Sequence, residues 1–397
     1  MENSLALRAV ILAMEDWFGP PRLARTLRRA GFHVTGLSYR GFLLASADVD
    51  AAVYLPDEQS DDELLGTLKK QLLELRPSMV VPGDDLSVEV LQVLAADAEL
   101  AAVLCDSLGD PRHHPTLRSR KALATLARDA GVRQPVHASI HSLEQALAFT
   151  KEHGLPAVFK AEESCAGFGV SICKDEAAVR TTFAQLESRE PRTLKEGLLA
   201  QGFVEGKTAM RAIIAWRGEL LAGISAIKVE THPRSTGPSA VVEVIDHAEM
   251  ADTSTKLVKA LGFSGFASFD FQLDSAGAAH LIELNARPTP ICHLGHHFDS
   301  DLGQALKRAL SGEPAAPGAP RGVPRKVALF PQEWIRRQDS PHFADALLDV
   351  PWDEAQLLGG LVQTGLKQIG WKAFRRADER RERLRARLDG LEARGKT

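Results

Sequence analysis

Phe266-Ala-Ser-Phe-Asp-Phe-Gln-Leu-Asp-Ser-Ala-Gly-Ala-Ala-His-Leu-Ile-Glu-Leu-Asn-Ala-Arg287 reads as two alternating strands joined by a short turn around Ser275 to Ala278. Pairing Phe271 with Ile282 sets Asp270 opposite Glu283. One face then carries Phe269, Phe271, Ile282 and Leu284. The other carries Ser268, Asp270, Glu283, Asn285 and Arg287. Two carboxylates directly opposite across strands lie about 5 Å apart at Cβ and repel each other. A divalent cation between them reverses the sign of that interaction. Two acids and an amide oxygen suit a hard cation such as Mg²⁺, which completes its shell with water and phosphate oxygens. Arg287 follows Asn285 by two residues, so it points the same way and can hold an anion.

This hairpin resembles the metal-binding end of the ATP-grasp superfamily, which includes biotin carboxylase, carbamoyl-phosphate synthetase and many ADP-forming carboxylate–amine ligases. The family pattern is an acid in an aromatic-flanked strand, a hairpin, and then Glu-x-Asn-x-Arg. Here these are Asp270 and Glu283-Leu-Asn285-Ala-Arg287. The resemblance implies that Asp270, Glu283 and Asn285 bind Mg²⁺ (or Mn²⁺). It also implies that Arg287 meets the substrate or the transferred phosphate.

Other features of the superfamily lie upstream in the same order. Lys121 stands at the start of a helix expected to run to Ala130. Leu155–Lys160 is an apolar strand ending in a lysine, and the small-residue loop with Ser164, Gly167 and Gly169 follows it. The glycines let backbone amides approach an anion closely. By resemblance, Lys121, Lys160 and this loop contact the phosphates of ATP. Leu198–Val204 resembles the hinge strand along adenine, with Gln201, Phe203 and Val204 as its candidate contacts. Lys228, at the expected end of a strand from Glu219, is a further candidate for nucleotide or substrate.

Residues 1 to about 106 alternate strand and helix signals, which predicts a parallel sheet covered by helices. The resemblance makes this the pre-ATP-grasp domain, residues 107–312 the ATP-grasp fold with a lid at about 135–200, and 313–397 a mainly helical extension. The fold class is therefore α/β followed by α+β. Val80-Val-Pro-Gly-Asp-Asp85 closes a strand and opens a helix. Strand carboxyl ends gather ligands in open α/β sheets, so Asp84 and Asp85 are substrate candidates. A helix cap explains either of them equally well. After Arg287, the loop Pro288–Phe298 contains Cys292, His293, His296 and His297. Their spacing matches no standard structural zinc pattern. The expectation is an acceptor pocket in which His293 or His296 contacts substrate.

Composition narrows the classes. A net charge of −4 gives no global pull toward nucleic acid. The arginine-rich stretch from Lys372 interleaves acids with its bases and reads as a solvated helix face. Four cysteines without a C-x-x-C pair suit reduced thiols and a cytoplasmic setting. No apolar run is long enough for a membrane span. The expected partners are small-molecule carboxylate and amine substrates, without nucleic acid or membrane, and a homodimer is allowed.

The resemblance thus implies a ligase that uses ATP to activate a carboxylate as an acyl phosphate, joins it to an amine and releases ADP. Two alternatives remain open from sequence. One is a bicarbonate-activating enzyme of the carboxylase or carbamoyl-phosphate-synthetase kind. The other is a nucleotide-binding regulatory protein without catalysis.

Overall fold

The apolar run that opens the chain is a strand buried on both sides, which is why it shows no alternation. In the computed structural model β1 (Arg8–Ala13), β2 (His33–Ser38), β3 (Ala51–Tyr54) and β4 (Met79–Pro82) form a parallel sheet in the order β3-β2-β1-β4. Ala9, Ile11 and Ala13 pack with Leu23, Ala24 and Leu27 of the helix Gly19–Ala30. Val10 and Leu12 pack on the opposite side with Leu68, Leu72 and Leu91. The structure describes residues 7–39, 41–56, 60–161, 170–189, 194, 197–233, 237–314 and 323–368. Among them, no helix is long and apolar enough to cross a membrane.

A second sheet is built from β5 (His137–Ile140), β6 (Ala157–Ala161), β7 (Val170–Cys173) and β8 (Leu198–Gly202). Its order is β5-β8-β6-β7 and all its pairings are antiparallel. With the helices Leu143–His153 and Glu176–Arg189 it encloses a core of its own. Phe159 and Phe183 meet edge to face there, 5.6 Å between centroids. This unit lies over the stretch for which the resemblance implies a lid.

The largest sheet contains β9 (Lys207–Trp216), β10 (Glu219–Thr231), β11 (Ser239–Ile245), β12 (Gly265–Leu273), β13 (Ala279–Asn285), β14 (Lys326–Leu329) and β15 (Leu347–Asp349). The order is β13-β12-β9-β10-β11-β14-β15. The helix Ala248–Leu261 covers one face through Met250, Leu257, Val258 and Leu261. The other face, with Met210, Ala212, Ile214, Ile224 and Ala226, packs on the N-terminal unit through helices Gly19–Ala30 and Leu302–Ser311. These helices touch so closely at Gly303 that a Cβ there would lie 2.5 Å from the Thr26 carbonyl oxygen.

Three details differ from the sequence reading. Phe271 pairs with Leu281 rather than Ile282, because a register shift follows the Asp270–Glu283 pair. Leu281 therefore joins the buried cluster with Phe269, Phe271 and Leu284, and Ile282 is the extra residue. Second, β10 runs on to Thr231, so Lys228 lies inside the strand. Third, beyond the short strand expected near residues 327–330, which is β14, the segment after residue 312 adds β15 to the main sheet before its helix at 355–368. Ser164, Gly167, Gly169 and the stretch from Lys372 lie outside the described residues.

Candidate active site

The hairpin β12–β13 sets Asp270 directly opposite Glu283 and Ser268 opposite Asn285. Strand alternation turns Asp270 to the face that carries Met210 and Ala226, and it brings Lys228 of the neighbouring β10 to the same face. Lys228 Nζ lies 3.3 Å from Asp270 Oδ2. Asp270 Oδ1 is buried with no hydrogen-bond partner, and so is Ser268 Oγ. An orphaned carboxylate oxygen in the interior is costly unless a cation reaches it.

The electrostatics of the pair point the same way. Burial, reinforced by the charge of Glu283, pushes the Asp270 carboxyl up against the pull of Lys228. Burial also pushes Glu283 up, but Arg120, Lys160 and Lys228 together outweigh it and hold Glu283 below the usual range. Like charges this close separate their ionisation, and one acid is held back. A divalent cation would let both ionise. The donor set therefore fits Mg²⁺: two carboxylates, one with a free oxygen, and the Asn285 amide two residues beyond Glu283.

Lys160 comes from the second sheet, at the end of β6. It is 5% exposed and its ammonium is pushed down to about 8 by burial. The charges of Glu283 and Asp270 raise it and that of Arg120 lowers it further, so the acid pair and Lys160 share one electrostatic neighbourhood. Arg120 opens the helix Arg120–Asp129, which Ser119 caps through the Ala122 amide. Its guanidinium donates to the Ala161 carbonyl and lies 3.7 Å from Glu283. Sequence reading passed over Arg120 in favour of Lys121, which is half-buried beside it. The partner of Arg120 is 163 positions away, so nothing local marks it.

On the strand expected to flank the base, Gln201 is buried and pairs with His137 and Val158. Phe203 is exposed and Val204 half-buried. The amides of Gly202 and Phe203 already donate to the Val136 and Pro156 carbonyls, which fixes the turn from the second sheet into the third.

The N-terminal unit contributes the ends of β1 and β4, as the strand-end rule anticipates. The two aspartates there divide the alternatives between them. Asp84 is buried and caps the helix Asp85–Leu94: Oδ1 accepts from the Ser87 amide and hydroxyl, and Oδ2 from the amides of Met14 and Glu15. Its substrate candidacy yields to that role, since both oxygens are committed. Replacing Asp84 with Ala should cost about 2–4 kcal/mol in a denaturant titration, because it removes a cap and strands buried amides. Asp85 instead takes Arg287 in a two-pronged pair, with Nε to Oδ1 at 2.6 Å and Nη2 to Oδ2 at 2.8 Å. Glu15, an exposed residue not singled out from sequence, lies near enough to feel both aspartates and Arg287. Its carboxyl is raised by partial burial and by the aspartates, against Arg287.

The histidine loop is a 3-10 helix, Cys292–His297, and its rings tie the fold together. His293 Nε2 lies 2.9 Å from Asp349 Oδ1 in β15, and Asp349 also meets Arg22 at 3.6 Å. His296 Nδ1 contacts the His293 carbonyl at 2.7 Å, and its Nε2 faces Arg29 at 2.8 Å. Burial pushes the His296 imidazole down to about 4, so it stays neutral. These partners correct the acceptor-pocket expectation for both histidines. Among the described residues no group of three His, Cys, Asp or Glu is placed to hold a metal.

No protein-family model matches the chain. Solved structures do. The biotin carboxylase domain of Hydrogenobacter thermophilus 2-oxoglutarate carboxylase, in complex with MgADP, ADP and bicarbonate, matches at a TM-score of 0.60 and 17% identity, over 78% of this chain and 71% of that one. The L-amino acid ligase of Bacillus licheniformis matches at 0.55 and 18% identity, over 77% and 74%. N5-carboxyaminoimidazole synthetase of Staphylococcus aureus matches at 0.59 and 14% identity, over 79% and 80%. The chain has the ATP-grasp fold. Within that fold three units converge on one place. The second sheet brings Lys160, the main sheet brings Asp270, Glu283, Asn285 and Lys228, and the N-terminal unit brings Asp85 onto Arg287 with Glu15 close enough to feel the pair.

Proposed function

We propose that the chain is an ATP- and Mg²⁺-dependent ligase that converts a small carboxylate to an acyl phosphate and joins it to an amine, releasing ADP and phosphate. The observation that carries this reading is the Asp270–Glu283 pair with its orphaned oxygen, ringed by Lys160, Lys228 and Arg120. A carboxylate is a poor electrophile at neutral pH, and phosphorylation gives it a good leaving group. Phosphoryl transfer asks the protein for position and charge neutralisation more than for covalent chemistry.

The roles follow from the residues. Asp270, Glu283 and Asn285 would hold Mg²⁺, which when bound neutralises phosphate charge. Lys160, with Lys121 and the loop of Ser164, Gly167 and Gly169, would hold the phosphates. Arg120 would support Glu283 from the phosphate side. Gln201, Phe203 and Val204 would flank the base. Arg287 would receive the carboxylate and stabilise charge on the acyl phosphate. Closure of the lid sheet would exclude water and protect that intermediate from hydrolysis.

The solved relatives crystallised with ADP and with MgADP and bicarbonate support nucleotide and metal use, and they keep bicarbonate among the acids to be tried. The test is a pairwise screen of amino acids, small carboxylates and bicarbonate against amines, scored by ADP release and product mass. The expected result is ADP and phosphate formed only with a productive pair. AMP and pyrophosphate would replace this route with adenylation. Nucleotide binding without turnover for any pair would favour a regulatory protein.

A further inference from the structure

We infer that Asp85 is a built-in stand-in for the acid substrate: it occupies Arg287 until a substrate carboxylate displaces it. The inference rests on the proposed role of Arg287 as the carboxylate receptor. The Asp85 carboxylate meets the guanidinium through both oxygens at 2.6 and 2.8 Å, the planar fork in which arginine holds any carboxylate.

The two partners differ in what they need. The Arg287 side chain is 19% exposed and that of Asp85 is 46% exposed. A guanidinium so far withdrawn from water requires an anion beside it, whereas the aspartate can turn to solvent at small cost. Asp85 sits in the first turn of Asp85–Leu94, where a carboxylate is favoured even without a partner. Its neighbour Asp84 cannot take its place, because both of its oxygens are held by Met14, Glu15 and Ser87. The pair also spans 202 positions and joins the N-terminal unit to the main sheet. Exchange of one carboxylate for another keeps Arg287 neutralised throughout. It also leaves the released Asp85 charge next to Glu15, in a position to attract a cationic second reactant. No bond is made or broken in the exchange, and the charge count at Arg287 is unchanged.

The experiment measures Arg287 directly. Full-length protein is treated with phenylglyoxal, and modification of Arg287 is followed by peptide mass, with acetate as the probe carboxylate. If Asp85 competes for the same guanidinium, Asp85→Asn speeds modification several-fold and lowers the acetate concentration giving half-protection by roughly tenfold. Glu15→Gln, which removes a nearby charge without touching Arg287, should leave that midpoint within about twofold. Asp85→Ser serves as a second variant, and melting curves verify that each folds. Equal acetate midpoints in wild type and both Asp85 variants would overturn the exchange. So would a Glu15→Gln shift as large as that of Asp85→Asn, which would assign the effect to the general field. Absence of ADP release in the ligase screen would remove the proposed function and leave the labelling result standing, so the two failures are distinguishable.

Discussion

Replacing Glu283 with Gln should lower ADP release roughly a thousandfold or more while the protein stays folded. The substitution keeps shape and removes one charge. Glu283 is the acid held ionised by Arg120, Lys160 and Lys228, so its loss leaves three cations facing only Asp270. Those cations would no longer be arranged around a metal. Asp270 would meanwhile lose the repulsion that raises it and would ionise more readily, which offsets part of the cost to the free protein. Asp270→Asn is the contrasting case. It removes the orphaned oxygen but leaves Glu283 with its partners, so its expected effect is a raised Mg²⁺ requirement. Two measurements check the assignment: steady-state ADP release with a saturating acid and amine, and the rise in melting temperature on adding MgATP. Wild type should show that rise and Glu283→Gln should not. A Glu283→Gln rate within tenfold of wild type would remove the acid pair from the mechanism.

The parts of this site that were legible in the sequence are those written locally. Asp270 and Glu283 do face each other, but across a bulge: from the turn to Phe271–Leu281 the strands keep one register, and the extra residue Ile282 then brings Glu283 opposite Asp270. Beyond that pair, the register shift moved Leu281 into the core in place of Ile282. A bulge preserves the alternating pattern on either side of it, so the pattern alone does not reveal it. Buried strands were legible through their apolar runs, and the alternating strand and helix signals up to about residue 106 correspond to the parallel sheet β3-β2-β1-β4 and its helices. The residues that escaped are those whose meaning depends on a distant partner. Arg120 acquires its role from Glu283 and Ala161, Glu15 from Asp85 and Arg287, and β15 from its parallel pairing with β14. The histidine loop misled for the same reason. Its place just after Arg287 suggested chemistry, but Asp349 and Arg29, far along the chain in both directions, meet its rings.

Lys160 makes the second large effect one of pH. Its ammonium ionises near 8 in the folded protein, against about 10.4 for a free lysine. Below pH 8 the folded protein carries this buried charge, and ATP phosphates should bind it best there. Above pH 8 the free enzyme loses the proton, so the KM for ATP should rise by up to about tenfold per pH unit until the complex itself titrates. Stability moves the opposite way. Between pH 8 and about 10.4 the unfolded chain still holds a proton that the folded one has released, so folding becomes more favourable as pH rises across that window. Lys160→Met separates this group from the other lysines, tyrosines and cysteines that titrate in the same range. The variant should raise the KM for ATP roughly ten- to hundredfold at pH 7, the loss expected for a charge-assisted contact. At pH 9.5 the gap from wild type should shrink, because wild type has by then neutralised the same group. In urea titrations, the stability gain of wild type between pH 8 and 10 should exceed that of Lys160→Met. The conflict then sits in one residue: a cation that burial disfavours, offset only in part by Glu283 and Asp270, is the one the proposed function assigns to phosphate. A KM ratio that stays constant from pH 7 to 9.5 would show that Lys160 remains charged throughout, and that Glu283 and Asp270 stabilise its ammonium more than burial penalises it.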